Sequence, residues 1–358
     1  MHLIRVLFLA GVCAASTVFA YPEMVRHGYV NCTSCHMSPT GGGMLNAYGR
    51  VQAEEILSTW SKEGRGSFLH GLLPGETGEE IFSFGGQFRV TQTWTQNASG
   101  RRGRFIWMQQ DLEASAKFGP FQLVATAGLQ DAGNPFLSRR HYLIYRPGPE
   151  SKWSFRAGRF LPAFGIHVAD HAIATKGLIG LGQGVESYNL EAAWIGEQYD
   201  VFATANFGRP GEDREKGYTV RAGRALGDRM KVGLSHYYGQ DSTRTRILAG
   251  GYGILGFSEH FFVLAELDFQ SLTTTSATFG PAWYVRADYE FLKGLHFYLS
   301  NELSQTDPAR PLSYALGAGL QFFPMPHFEF RLHYDKRQDF YTGYVPTDYG
   351  WLMAHYYL

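Results

Sequence analysis

Cys32-Thr33-Ser34-Cys35-His36 sets two thiols two residues apart and puts an imidazole directly after the second. That spacing fastens a c-type haem: two thioethers anchor one edge of the porphyrin, and the adjacent histidine can swing under the iron as its proximal nitrogen ligand. The alternatives are a zinc site, a redox dithiol or a disulfide. Structural zinc asks for four ligands, and no second Cys or His pair stands in register with this one. The chain has 3 cysteines. The third, Cys13, lies in the leader described below, so the mature chain would keep only the two that the motif uses.

The sixth position of the iron stays open at this stage. Met44, His27 and His70 are its candidates, because methionine/histidine or bis-histidine ligation is what electron-transfer haems use. The chain from His36 to Met44 extends to about 27 Å, enough to round a haem edge, and His27 would come from the other direction. A barrel residue, or an open site, completes the alternatives. After His36, Pro39 and the run Gly41-Gly42-Gly43 end any helix and let backbone approach the porphyrin closely.

The elements that must position this motif begin with a leader. Residues 1–20 open with His2 and Arg5, continue through an apolar run at 7–12 and end on Val18-Phe19-Ala20. They read as a secretory signal cut before Tyr21, too short for a spanning helix. Ala10-Gly11-Val12-Cys13 faintly matches a lipoprotein cleavage site, against which Val12 is bulky. Export suits covalent haem attachment, which takes place outside the inner membrane of a two-membraned bacterium.

Residues 21–80 follow, a segment below the size of about 70 residues at which a core stabilises itself without a staple. A haem would be that staple, with a barrel mouth or lumen as its second wall. Within the segment, residues 51–60 read as a short amphipathic helix with Val51, Ile56, Leu57 and Trp60 on its apolar side.

From Ile81 to Leu358 apolar and polar residues alternate in segments of about ten residues, the signature of a transmembrane β-barrel. Trp283, Val285, Ala287, Tyr289 and Phe291 oppose Tyr284, Arg286, Asp288 and Glu290. Phe328, Phe330, Leu332 and Tyr334 oppose Glu329, Arg331, His333 and Asp335 in the same way. Alternation alone also suits a soluble sandwich; the connections decide. Short turns near 119–120, 147–151, 196–197, 227–228, 258–259, 293–294 and 324–326 alternate with longer polar loops such as 96–103, 131–138, 208–217 and 338–347. This predicts an all-β fold, an antiparallel outer-membrane porin-like barrel of about sixteen strands, with short turns on the periplasmic side. The domains are then 1–20, signal; 21–80, monohaem c-type cytochrome segment and possible lumen plug; and 81–358, barrel. Arg286, Asp288, Glu290, Glu302, Glu329, Arg331 and Asp335 fall on the lumen face, as the solvated wall of a water-filled barrel.

The loop at 161–185 carries His167, Asp170, His171 and Lys176 among glycines. Loops this long are commonly functional. Histidines four apart share a face if a helical turn forms there, giving a pore-constricting or metal-admitting role; the plainer reading is two polar loop histidines facing water or the barrel wall.

In composition the 358 residues carry 32 basic and 32 acidic side chains, 43 glycines and 15% aromatics. Zero formal charge gives no argument for nucleic acid or strongly anionic partners.

Signal, a single haem motif, Tyr48-Gly49-Arg50 and a complete porin-like barrel together resemble the fused outer-membrane monohaem cytochrome–porins of iron-oxidising bacteria. At residue level Cys32, Cys35, His36 and Gly49-Arg50 carry the resemblance. It implies one covalent haem c passing electrons across the outer membrane between an extracellular redox partner and a periplasmic carrier, as an electron-transfer protein or an oxidoreductase toward an extracellular metal or small redox molecule. The Gly41-Gly42-Gly43 run and the shorter barrel loops depart from the family pattern, which puts ferrous iron as the donor in doubt. Two rival classes stand beside it: a diffusion porin whose haem segment is a plug or sensor, and a haem peroxidase with an open iron position.

Overall fold

The computed structural model describes residues 22–61, 81–129, 138–168, 173–182 and 184–358. The leader, His70, Asp170 and His171 lie outside the described residues.

Sixteen strands form one closed antiparallel barrel in chain order. They are β1 (Phe82–Asn97), β2 (Gly100–Phe118), β3 (Phe121–Leu129), β4 (His141–Tyr145), β5 (Trp153–Phe160), β6 (Ser187–Ile195), β7 (Tyr199–Asn206) and β8 (Lys216–Ala225). The second half comprises β9 (Met230–Gln240), β10 (Thr245–Gly256), β11 (Phe261–Thr273), β12 (Ala277–Leu292), β13 (Leu295–Ser304), β14 (Ser313–Phe322), β15 (Phe328–Gln338) and β16 (Thr347–Tyr357). β1 closes on β16 from Gln87 opposite Tyr357 to Gln96 opposite Asp348. Closure leaves no unpaired strand edge, which is the condition for β-structure in lipid.

Each strand is apolar outside and polar inside. Along β12, Val285 and Tyr289 are exposed while Arg286, Asp288 and Glu290 are buried, the two sets alternating because successive side chains point to opposite faces. Outside, rings gather beside the short turns. Phe118, Phe121, Tyr145 and Phe155 follow one another around the wall at centroid spacings of 5.9, 5.0 and 6.2 Å, and Trp153 stacks on Phe155 at 6.0 Å. An exposed apolar band edged by aromatic rings is the surface a bilayer core accepts.

One long outer loop expected from the sequence is instead mostly strand. β1 and β2 continue until Asn97 pairs with Gly100, so most of 96–103 is hairpin; β11 and β12 likewise pair out to Thr273 and Ala277. Cross-strand hydrogen bonding continues past the apolar band wherever Thr, Ser and Arg can face water on both sides.

Chain occupies much of the lumen around the cavity described below, a departure from the open, water-filled barrel expected. Arg286, Asp288, Glu290, Glu329, Arg331 and Asp335 do face inward, and all are buried. They are paired: Arg286 with Asp288 at 2.5 Å, Arg331 with Glu329 at 2.8 Å, Arg337 with Asp335 at 2.6 Å. Glu302 accepts a hydrogen bond from the Ala174 backbone at 2.8 Å. Two chain segments exclude water from them, one at each end of the barrel.

The first is the N-terminal segment. A helix α1 (Ala47–Gln52) runs into a wider helical turn, Ala53–Leu57. The helix starts earlier than the apolar pattern predicts because Asn46 caps it, its side chain accepting from the Gly49 N–H at 2.8 Å. Val51 and Trp60, expected on the apolar side, are exposed; Trp60 packs edge-on against Phe322. Leu57 and Ala53 join Met24, Cys35, Leu45, Phe323 and Tyr357 in one buried cluster. Arg26 pairs with Glu290 at 3.0 Å, and the Lys231 ammonium donates to the Val30 carbonyl at 2.9 Å.

The second is the loop between β5 and β6, which turns into the lumen from the opposite end. The backbone N–H of Ile166 donates to Glu266 at 3.1 Å, and that of Gly165 donates to Ser235 at 2.9 Å. The Lys176 ammonium pairs with Glu266 at 2.7 Å.

Candidate haem-binding cavity

Between the two segments lies a cavity whose atom-free space, its solvent-open part included, is about 1250 Å³. Cys32 and His36 line it, held by a short 3-10 turn at Cys32–Ser34 whose Cys32 carbonyl accepts from the His36 N–H at 3.0 Å. His36 then pairs with Leu45 as an isolated antiparallel bridge. The chain between them doubles back, and the glycines supply the turn: Gly41, Gly42 and Gly43 have φ of +85°, +71° and +69°. This left-handed backbone is disfavoured for any residue with a Cβ.

The run lies flat on the cavity's functional side chains. A Cβ on Gly41 would stand 3.1 Å from Cys32 Sγ and 4.0 Å from His36 Cδ2. One on Gly42 would overlap the His167 ring, and one on Gly43 the Arg140 guanidinium.

Cys35 is placed differently. It is buried in the cluster with Leu45, Leu57 and Tyr357, with its Cβ against Gly49. Attachment through Cys35 requires its thiol to leave that cluster. Neither Cys32 nor Cys35 is in a disulfide, and burial pushes the Cys32 thiol up, partly offset by the charges of Lys231 and Arg221. Among the described residues no group of three or more His, Cys, Asp or Glu side chains is arranged to hold a metal ion.

His27 and Met44 stand away from the cavity. His27 Nε2 accepts from Arg26 Nε at 3.0 Å, and burial, then the Arg26 charge, lower its pKa to about 3. Met44 is buried at the foot of β1, where a Cβ on Gly85 would meet its Sδ at 3.2 Å. His167 does line the cavity. Burial, followed by the neighbouring His36 and Arg140, lowers its pKa to about 3.

A c-type haem presents an apolar macrocycle, two carboxylates and an iron that takes nitrogen or sulfur ligands. The cavity offers matching chemistry. Val25, Val30, Ile166, Val168, Ile254 and Leu264 form its apolar wall, and Arg89, Arg140, Arg221, Lys231, Arg286 and Arg331 are the cations within it. Two buried polar atoms there, Arg221 Nε and the Tyr252 hydroxyl, have no hydrogen-bond partner among the described residues, and a carboxylate would satisfy such donors. The lining residues fit the macrocycle, its carboxylates and its iron, while Cys35 lies outside that lining. Sequence reasoning missed Arg89 and Arg221, although both stand at inward positions of the strand alternation; it had no signal for Arg140, which precedes β4.

No protein-family model matches the chain, and no curated protein matches it in sequence. Its similarity is to solved outer-membrane barrels. A loop-deletion mutant of OmpT, an outer membrane protein of Vibrio cholerae, superposes with a TM-score of 0.59 at 12% identity, covering 77% of this chain and 99% of that one. The anion-selective porin of Comamonas acidovorans gives 0.58 at 10% identity, with 77% and 99% covered. OprB of Pseudomonas putida gives 0.59 at 9% identity, with 77% and 94% covered. The shared fold is the 16-stranded porin-like barrel.

Proposed function

We propose that this chain is an outer-membrane cytochrome–porin that conducts electrons between an extracellular donor or acceptor and a periplasmic carrier through one covalently bound haem c. The observation that carries the reading is the lining of a buried cavity by Cys32 and His36 inside a barrel whose outer surface suits lipid. An apolar layer of about 25 Å separates the two aqueous sides of such a barrel, and a single redox centre bridges that distance best from within the lumen.

In this reading Cys32 and Cys35 anchor the porphyrin edge and His36 supplies the proximal nitrogen. Bound there, a haem contributes a one-electron iron couple. The chain's own residues do the rest. Val25, Val30, Ile166 and Leu264 exclude water, and Arg89, Arg140 and Arg221 provide charge for the carboxylates. The paired lumen side chains on β12, β15 and β16 close the path that a solute would otherwise take.

Diffusion transport is the competing reading, favoured by the porins that share the fold. One experiment separates the two. The full chain, expressed with a c-type maturation system, is assayed for covalent haem by mass and for ion conductance in planar bilayers. One haem per chain with little conductance supports the conduit; a steady open-pore conductance that does not depend on haem content overturns it.

A further inference from the structure

We infer that His167, on the loop that enters the lumen from the far end of the barrel, is the second axial ligand of the iron held by His36. This assignment rests on the haem reading above and deepens it.

Among the described residues that line the cavity, the imidazoles are His36, His167 and His355, and there is no methionine. His355 is already engaged at both ring nitrogens, with Glu329 at 2.9 Å and Gln87 at 2.8 Å. The His167 ring makes no hydrogen bond among the described residues. The two remaining rings meet one short stretch of backbone, since Cβ atoms on the neighbouring Gly41 and Gly42 would touch His36 and overlap His167 respectively. The chain beside His167 is fixed, because Gly165 and Ile166 donate to Ser235 and Glu266 of the wall and Ile166 is buried. An imidazole without a hydrogen-bond partner, held on a pinned backbone beside the proximal histidine, is the arrangement an axial ligand needs. Iron ligated by both rings would also tie the N-terminal segment to the loop from the opposite end.

The test uses haem-loaded full-length protein in detergent: wild type, His167→Ala, His167→Met and, as controls, His27→Ala and Met44→Leu. Covalent haem is quantified first, then the optical and EPR spectra, carbon monoxide binding and midpoint potential are recorded. The assignment predicts a low-spin, bis-histidine wild type that is slow to take up carbon monoxide. His167→Ala keeps its haem, turns high-spin and binds carbon monoxide readily, and added imidazole restores the low-spin spectrum. His167→Met raises the midpoint potential, as methionine ligation does, and both controls match wild type. An unchanged low-spin spectrum and potential in His167→Ala and His167→Met with haem content intact overturns the assignment, as does a high-spin wild type. Absence of covalent haem from the wild type overturns the haem reading itself, and this assignment with it.

Discussion

The two segments that enter the lumen both pack apolar side chains against the barrel and differ in the polar contacts that pin them. In the N-terminal segment Met24, Leu45, Ala53 and Leu57 meet Phe323 and Tyr357 of the barrel, and Arg26 pairs with Glu290. The inward loop packs Phe164, Ile179 and Leu181 on Tyr237 and Leu248, and Ile166 and Ile173 on Tyr252 and Leu264. To these it adds a denser set of polar anchors: Glu266 binds both the Lys176 ammonium and the Ile166 N–H, Glu302 takes the Ala174 N–H, and Arg246 reaches the Ile179 carbonyl. Removing one partner of a buried ion pair leaves an uncompensated charge, so the loop depends more heavily on single side chains of the wall.

The largest effect separating the two concerns the haem motif. Cys32→Ala with Cys35→Ala should abolish covalent haem entirely, seen as loss of the haem mass from the intact chain. If haem is the staple of the N-terminal segment, limited proteolysis should then cut that segment and spare the loop. Equal protection of both would show that the apolar cluster suffices alone.

Glu266→Ala should release the loop, leaving the Lys176 charge buried and unpaired at a cost of about 3–5 kcal/mol. Urea unfolding followed by tryptophan fluorescence reads the loss, and bilayer recordings should show conductance that the wild type lacks. On the other wall, Leu57→Ala should cost about 2–5 kcal/mol and expose the N-terminal segment to protease without opening a pore. Gly42→Ala acts where the two walls meet. Its positive φ makes a Cβ cost about 1–3 kcal/mol, and the overlap with His167 should lower the haem content of the purified protein.

The smallest effect is a pH dependence confined to the N-terminal segment. His27 in the folded chain has its pKa lowered to about 3 from 6.5, by burial and then by Arg26, Arg229, His296 and His260. The unfolded chain therefore takes up a proton as pH falls through 6.5 while the folded site does not. Stability contributed here is full above that value and declines as pH drops toward 3. Protease protection of the segment measured across that window should fall in the wild type and flatten in His27→Gln.

How much was legible follows from the same contrast. The strands were readable because a period of two is local: each outer Val, Leu or Phe next to an inner Arg, Asp or Glu declares its face, and all sixteen strands lie within a few residues of their predicted places. Arg286 to Asp335 faced inward for that reason. Their surroundings were not readable, because what fills a lumen comes from distant chain that carries no periodic signal. His167 shows the limit most clearly. Sequence marks it as a histidine in a long loop, while its place beside Gly42 depends on Ser235 and Glu266, which lie 70 and 100 residues along the chain from the loop residues they hold. Cys32 and His36 were legible from spacing alone; the burial of Cys35 away from the cavity was not, since it arises from the turn at Cys32–Ser34 and the close approach of Gly49.

The central claim is an electron path through a barrel closed to solutes, and oriented proteoliposomes test it most directly. Haem-loaded protein is inserted, an impermeant reductant is added outside, and an entrapped redox dye is followed while ion leakage is recorded in parallel. The account predicts dye reduction that depends on Cys32, Cys35 and His36 and proceeds without leakage. Leakage with no haem-dependent reduction would contradict it and leave a haem-bearing porin.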